Sequence, residues 1–335
     1  MVCAGALIGS SLSRRWFGNS NTRHQEILSY AGAAGALTAF MGIPIAGSIF
    51  AIEMTRANAG LSKAGGKALQ PAVLSSLAAI VLMRGIFIPS AAVGGHFTYG
   101  IVGEMSGRAM ITTAVACGAG GALLGTLFHK TVHLMKDVVW SKKKEEKPWK
   151  RQLAVKTTIG LIVGILSTYY PQTLFWGEGS LQTVIDGQKT AFGATKHGLS
   201  GVLTSMAKVN PSLPFASPAA AAQVGVVKMI AIALACAGKF PGGIIFPLFF
   251  AAAPFAPTFS TILGPSLTPV AVFCLMGATQ AAVTRTPLAT ALILSLSASA
   301  GSELSLLLPA GLVSSYLGVF LSRQLSSESY FNYNN

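Results

Sequence analysis

Several places in the chain carry residue types that could do chemistry on an ion. The first is Gly238–Pro247, which reads GKFPGGIIFP. The preceding stretch, Val226–Ala237, is apolar apart from Lys228 and reads as a helix. Gly242 and Gly243 free the backbone beyond that helix, and Pro247 lies near the start of the next one. A helix N-terminus presents unpaired N–H groups and about half a positive charge. Such groups can hold an anion moderately, where a lysine would hold it too tightly to release. A plain inter-helix turn, which Gly-Gly and Pro also serve, explains these residues equally well.

A second candidate is Glu53 in GSIFAIEMTR, at the end of an apolar segment. An ionisable group there is either functional or at the membrane edge. Arg56, three residues on, could pair with it, and a structural role is the preferred reading. Tyr330 follows the last apolar run in SSESYFNYNN. Its hydroxyl could donate to an anion, although the residues alone favour a tyrosine anchored at the membrane surface. His129 and His133 are four apart on a probable helix, a spacing that can bind zinc. No Glu lies between them and no third ligand is near, so no metal is expected.

Other chemistry is poorly provided for. The acidic residues number 10, and none pair at a close spacing inside a pocket-forming stretch. A cation pathway calls for an acidic ring, and an anion pathway avoids one. Cys3, Cys117, Cys236 and Cys274 each stand alone in apolar sequence, as buried free thiols do. There is no nucleophile–base pair, metal set or phosphate loop, so neither an enzyme nor a cofactor is expected.

The elements that must position these residues belong in lipid. Of 335 residues, 52% are hydrophobic and 10% charged, with a mean hydropathy of +0.59. A soluble domain averages about 25% charged residues. The 37 glycines and 16 prolines interrupt nearly every apolar stretch. That pattern points to an all-α membrane protein of short, broken and tilted helices, in which irregular backbone faces an ion. The net charge of +14 is densest at Lys142–Lys144, Lys147, Lys150 and Arg151. This run reads as a cytoplasmic-side loop over about 140–151, with no nucleic-acid partner. One membrane domain over 1–335 is expected. Its helical segments fall at 1–16, 26–57 broken at Gly42–Pro44, 63–87, 109–140, 152–170 and 218–237. Short helices then run to about 325. A polar turn is placed at 17–25.

There is a faint internal echo. Ala31–Glu53 (AGAAGALTAFMGIPIAGSIFAIE) and Gly277–Ser295 (GATQAAVTRTPLATALILS) both run small residues into a proline and then apolar sequence. Pro44 and Pro287 hold matching places, as inverted repeats would leave them. These two stretches, with PGGIIFP at Pro241–Pro247 and LFWGEGS at Leu174–Ser180, resemble the CLC family of chloride channels and proton-coupled chloride transporters. The resemblance spans nearly the whole chain in order, and LFWGEGS is similar to eukaryotic members.

The resemblance implies an inverted-repeat bundle that works as a homodimer, with one anion path per subunit. By it, the turn around Gly243, Ile244, Ile245 and Phe246 binds the anion, the backbone amides of Ile244 and Ile245 contact it, and Tyr330 coordinates it. Pro247 and Glu53 hold structural or gating positions. Three departures matter. Ile245 stands where the family usually has Phe, and Phe246 comes one place later. Met54 replaces the inner glutamate of proton-coupled members, which favours passive conduction over antiport. The family's first helices and its Gly-Arg-Glu-Gly-Pro signature would lie before Met1, and no CBS domains follow Tyr330. The alternative expectation is therefore a truncated, non-conducting subunit that dimerises with and modulates a full-length partner. An integral membrane location follows in either case, without fixing which membrane.

Overall fold

The computed structural model describes residues 2–18, 22–43, 45–57, 67–87, 97–100, 106–140, 149–186, 215–298 and 302–326. In order, the helices are α1 (Val2–Phe17), α2 (Thr22–Met41), α3 (Ala46–Ala57), α4 (Leu69–Leu82), α5 (Gly107–Val139), α6 (Trp149–Tyr169) and α7 (Glu178–Ile185). There follow α8 (Pro218–Ala237), α9 (Ile245–Ala252), α10 (Ala256–Leu263), α11 (Thr268–Thr284), α12 (Pro287–Ser297) and α13 (Ser302–Leu325). A π-helical turn, Met83–Phe87, extends α4. An isolated β-bridge joins Phe97 and Ala298.

Six helical stretches among the described residues are long and apolar enough to cross a membrane: Leu69–Ile86, Gly107–Val139, Trp149–Tyr169, Pro218–Ala237, Ile245–Leu263 and Pro265–Thr284. At about 1.5 Å per residue, the 33 residues of α5 outrun a hydrocarbon core of about 30 Å, so α5 must tilt or project. The span Ile245–Leu263 is continuous only through a 3-10 turn at Ala253–Phe255. This is the broken-helix character that the glycines and prolines foretell.

Local chemistry explains the ends. Ser106 caps α5 by accepting from the Ala109 amide at 3.3 Å, and Ser217 caps α8 by accepting from Ala220 at 3.1 Å. Pro218 then occupies the first turn of α8, where its missing N–H costs nothing. The expected turn at 17–25 is shorter than the sequence suggests. Arg23, His24 and Gln25 continue α2, because polar residues in a first turn do not oppose helix formation.

The two echoing segments each hold one helix, a left-handed residue and a second helix. Gly42 ends α2 with φ +65°, and Arg285 ends α11 with φ +61°, each just before the proline-bearing turn into the next helix. Helix α11 lies at the centre, buried along its whole length apart from Pro269. Close approach to it depends on small residues. A Cβ on Gly121 would lie 2.4 Å from the Ala278 Cβ, and one on Gly125 would lie 2.7 Å from the Ala282 Cβ. Glycine at these sites lets α5 settle against α11. The core around α11 is completed by Phe249, Phe250, Phe273, Leu275, Ile293 and Leu307.

Candidate anion site

Helix α8 stops in two steps. The Gly238 amide donates to the Leu234 carbonyl at 2.7 Å, Lys239 turns left-handed at φ +56°, and the Phe240 amide returns to Ala235 at 3.1 Å. Pro241–Gly243 then runs without regular structure into α9. Ile244 is the residue before α9, and no side chain caps that end. Pro247, three places on, has no N–H to offer. The amides of the first turn, at Ile245 and Phe246, therefore point out of the helix with no partner inside it. Gly242, Gly243, Ile244 and Pro247 border a cavity of about 410 Å³, shared with Ser167, Thr173 and Lys228.

The aromatic shift from position 245 to 246 has a visible consequence. The Phe246 ring lies 5.0 Å from Trp176, 5.7 Å from Phe40 and 5.9 Å from Phe249, measured between centroids. It thus ties the turn to α2 and to the LFWGEGS segment. That segment is locked in turn by Gly177, whose φ of +92° suits glycine, and where an added Cβ would fall 2.3 Å from the Phe250 ring. Two stretches 70 residues or more apart in sequence therefore meet at one wall.

Glu53 is brought elsewhere, to the start of α12. Its carboxylate accepts from the Leu288 amide at 3.1 Å and the Ala289 amide at 2.7 Å. This is a side chain from one echoing helix pair closing the helix N-terminus of the other. It favours the structural side of the expectation for Glu53. Met54 is half-buried and packs against the apolar core. Tyr330, most of the basic loop and Pro44 lie outside the described residues. His129 and His133 place their Nε2 atoms 2.9 Å apart, a hydrogen-bonding distance. Among the described residues no three His, Cys, Asp or Glu side chains gather as a metal site would need.

Two cations play parts that sequence reasoning missed. Arg285 is buried and reaches the end of α13, donating from Nη1 to the Val319 carbonyl at 3.2 Å and to the Ser322 hydroxyl, and from Nη2 to the Ser326 carbonyl at 2.9 Å. Lys228 is buried in α8 and donates to the Thr173 and Phe175 carbonyls at 2.7 and 2.5 Å. The signal for both was a lone cation in or beside an apolar helix. Arg285→Gly gives a direct check. Glycine suits the left-handed backbone and gains about 1 kcal/mol there. It also forfeits three charge-assisted hydrogen bonds at about 1.5 kcal/mol or more each. The variant is expected to unfold at a lower temperature than the parent, and a higher one would show that the clamp contributes little.

Comparison with known proteins fits this architecture. The family model described as "Voltage gated chloride channel" matches residues 1–323. No curated protein sequence matches the chain. Among solved structures, a slow cyanobacterial Cl⁻/H⁺ antiporter superposes with a TM-score of 0.65 at 16% identity, covering 98% of this chain and 68% of that one. A CLC-type fluoride/proton antiporter superposes with a TM-score of 0.67 at 17% identity, covering 99% of this chain and 70% of that one. These likenesses establish the fold of an integral, multi-pass membrane protein, and the match along nearly the whole sequence establishes its kinship. The chain belongs to the voltage-gated chloride channel family.

Proposed function

We propose that the chain carries small monovalent anions, chloride first among them, across a lipid bilayer, with the amides of Ile244 and Ile245 as contacts and Tyr330 as a hydroxyl donor. The observation that carries this is the uncapped start of α9, opening beside a cavity whose lining bears no carboxylate. Backbone dipoles there attract an anion without a tight ion pair, as turnover demands. Gly242 and Gly243 leave the approach clear, since a Cβ on either would meet nothing within 4 Å.

Passive conduction is favoured over proton antiport. A thioether at Met54 takes up no proton, and the neighbouring Glu53 carboxylate is committed to two backbone amides. The two solved structures that the chain resembles are proton antiporters, and a flux measurement separates the two modes here. In proteoliposomes loaded with chloride, efflux is expected without matched proton uptake. Stoichiometric proton uptake would replace conduction with antiport, and a lack of efflux would remove the reading. Tyr330→Phe is expected to shift chloride-over-nitrate preference while leaving the fold intact. The same reading pairs two copies of the chain, which the mass of the detergent-solubilised particle checks.

A further inference from the structure

Lys228 is buried in the middle of an apolar helix, with 4% of its surface exposed. Its ammonium group meets the Thr173 and Phe175 carbonyls and lies 5.9 Å from the centre of the Phe250 ring. All of these partners are neutral, and no carboxylate pairs with it among the described residues. Two of its three N–H groups are thereby used. A full charge taken out of water without a counter-charge is expensive, the more so between helices in a bilayer.

The cavity beside it has room for that counter-charge and carries several donors in an otherwise apolar lining. At about 410 Å³ it is far larger than one halide, and Lys228, Ser167, Gly242, Gly243 and Ile244 all border it. Among the described residues, the Ser167 hydroxyl meets the Thr173 hydroxyl at a long 3.4 Å. The Thr173 and Phe175 carbonyls, which would repel an anion, are already turned to the ammonium. An ammonium N–H, a serine hydroxyl and a glycine-rich turn thus border one space with no acidic group in its lining among the described residues.

We infer that this cavity holds one small monovalent anion as the counter-ion of Lys228. The idea deepens the proposed anion passage and rests on it only for the turn amides, because the charge of Lys228 stands by itself. The occupant is a resident ion. A full positive charge slows its release, whereas the amides of Ile244 and Ile245 serve the faster passage.

Bromide is the probe, located by its anomalous scattering in crystals of the whole chain grown with sodium bromide. A peak is expected within hydrogen-bond reach of Lys228 Nζ. In Lys228→Met, close in size and neutral, that peak is expected to vanish, and bromide binding to the purified protein to weaken tenfold or more. Lys228→Arg should keep the peak. Bromide only at the Ile244 and Ile245 amides, or a peak that survives Lys228→Met, would overturn the inference and leave the passage reading standing. No bromide at either place would remove both. Should Lys228→Met not fold, the peak in the parent protein and in Lys228→Arg decides the matter.

Discussion

Glu53→Ala is expected to destabilise the protein by about 3 kcal/mol, from the loss of two charge-assisted hydrogen bonds and of a carboxylate at a helix N-terminus. The Leu288 and Ala289 amides would be left without their acceptor. Thr286, which occupies the cap position of α12, does not replace it. Its hydroxyl is engaged with Thr284 and Thr290 at 2.7 and 3.3 Å, and no side chain of its own caps the helix. Glu53→Gln should lose about half as much, because an amide oxygen still accepts one N–H while its NH₂ group faces the other. Thermal unfolding in detergent reads both. Equal midpoints for the parent and the alanine variant would mean that the cap carries no weight.

Gly9→Ala is expected to cost as much or more. A Cβ at Gly9 would fall 1.9 Å from the Leu28 carbonyl oxygen, and one at Gly32 would fall 2.1 Å from the Gly5 carbonyl oxygen. Both obstacles are backbone, so no side-chain rotation relieves them. Helices α1 and α2 must move apart, and overpacking of this kind costs about 1–3 kcal/mol or more, together with lost dispersion between the helices. Gly160→Ala is the control. It lies on α6 with nothing within 4 Å of its added Cβ, and it gains helix propensity. A Gly9→Ala protein as stable as the Gly160→Ala protein would show that the α1–α2 contact is loose.

The sequence was most informative where punctuation is local. Gly42 and the Gly242–Gly243–Pro247 spacing marked real helix breaks, because glycine and proline act on the backbone they occupy. The faint echo between Ala31–Glu53 and Gly277–Ser295 falls on two segments in which a left-handed residue ends the first helix. Partners distant in the chain were not legible. Glu53 meets amides 235 residues away, while its neighbour Arg56 was the only partner that sequence could suggest. The hold of Arg285 on α13 spans 34 residues or more, and that of Lys228 on the Phe175 carbonyl spans 53. Backbone carbonyls leave no trace in side-chain pattern. The start of α2 was missed for a different reason: a polar run such as Thr22–Gln25 looks the same whether it ends a loop or opens a helix.

The burial of α11 also sets an order of events. Its covering helices include α5, made before it, and α13, made after it. Thr279 and Gln280 on α11 are shut away from lipid in the finished protein. While the chain is being synthesised, α11 reaches the bilayer before α12 and α13 exist. Its seat is therefore completed from behind, by the arrival of α13.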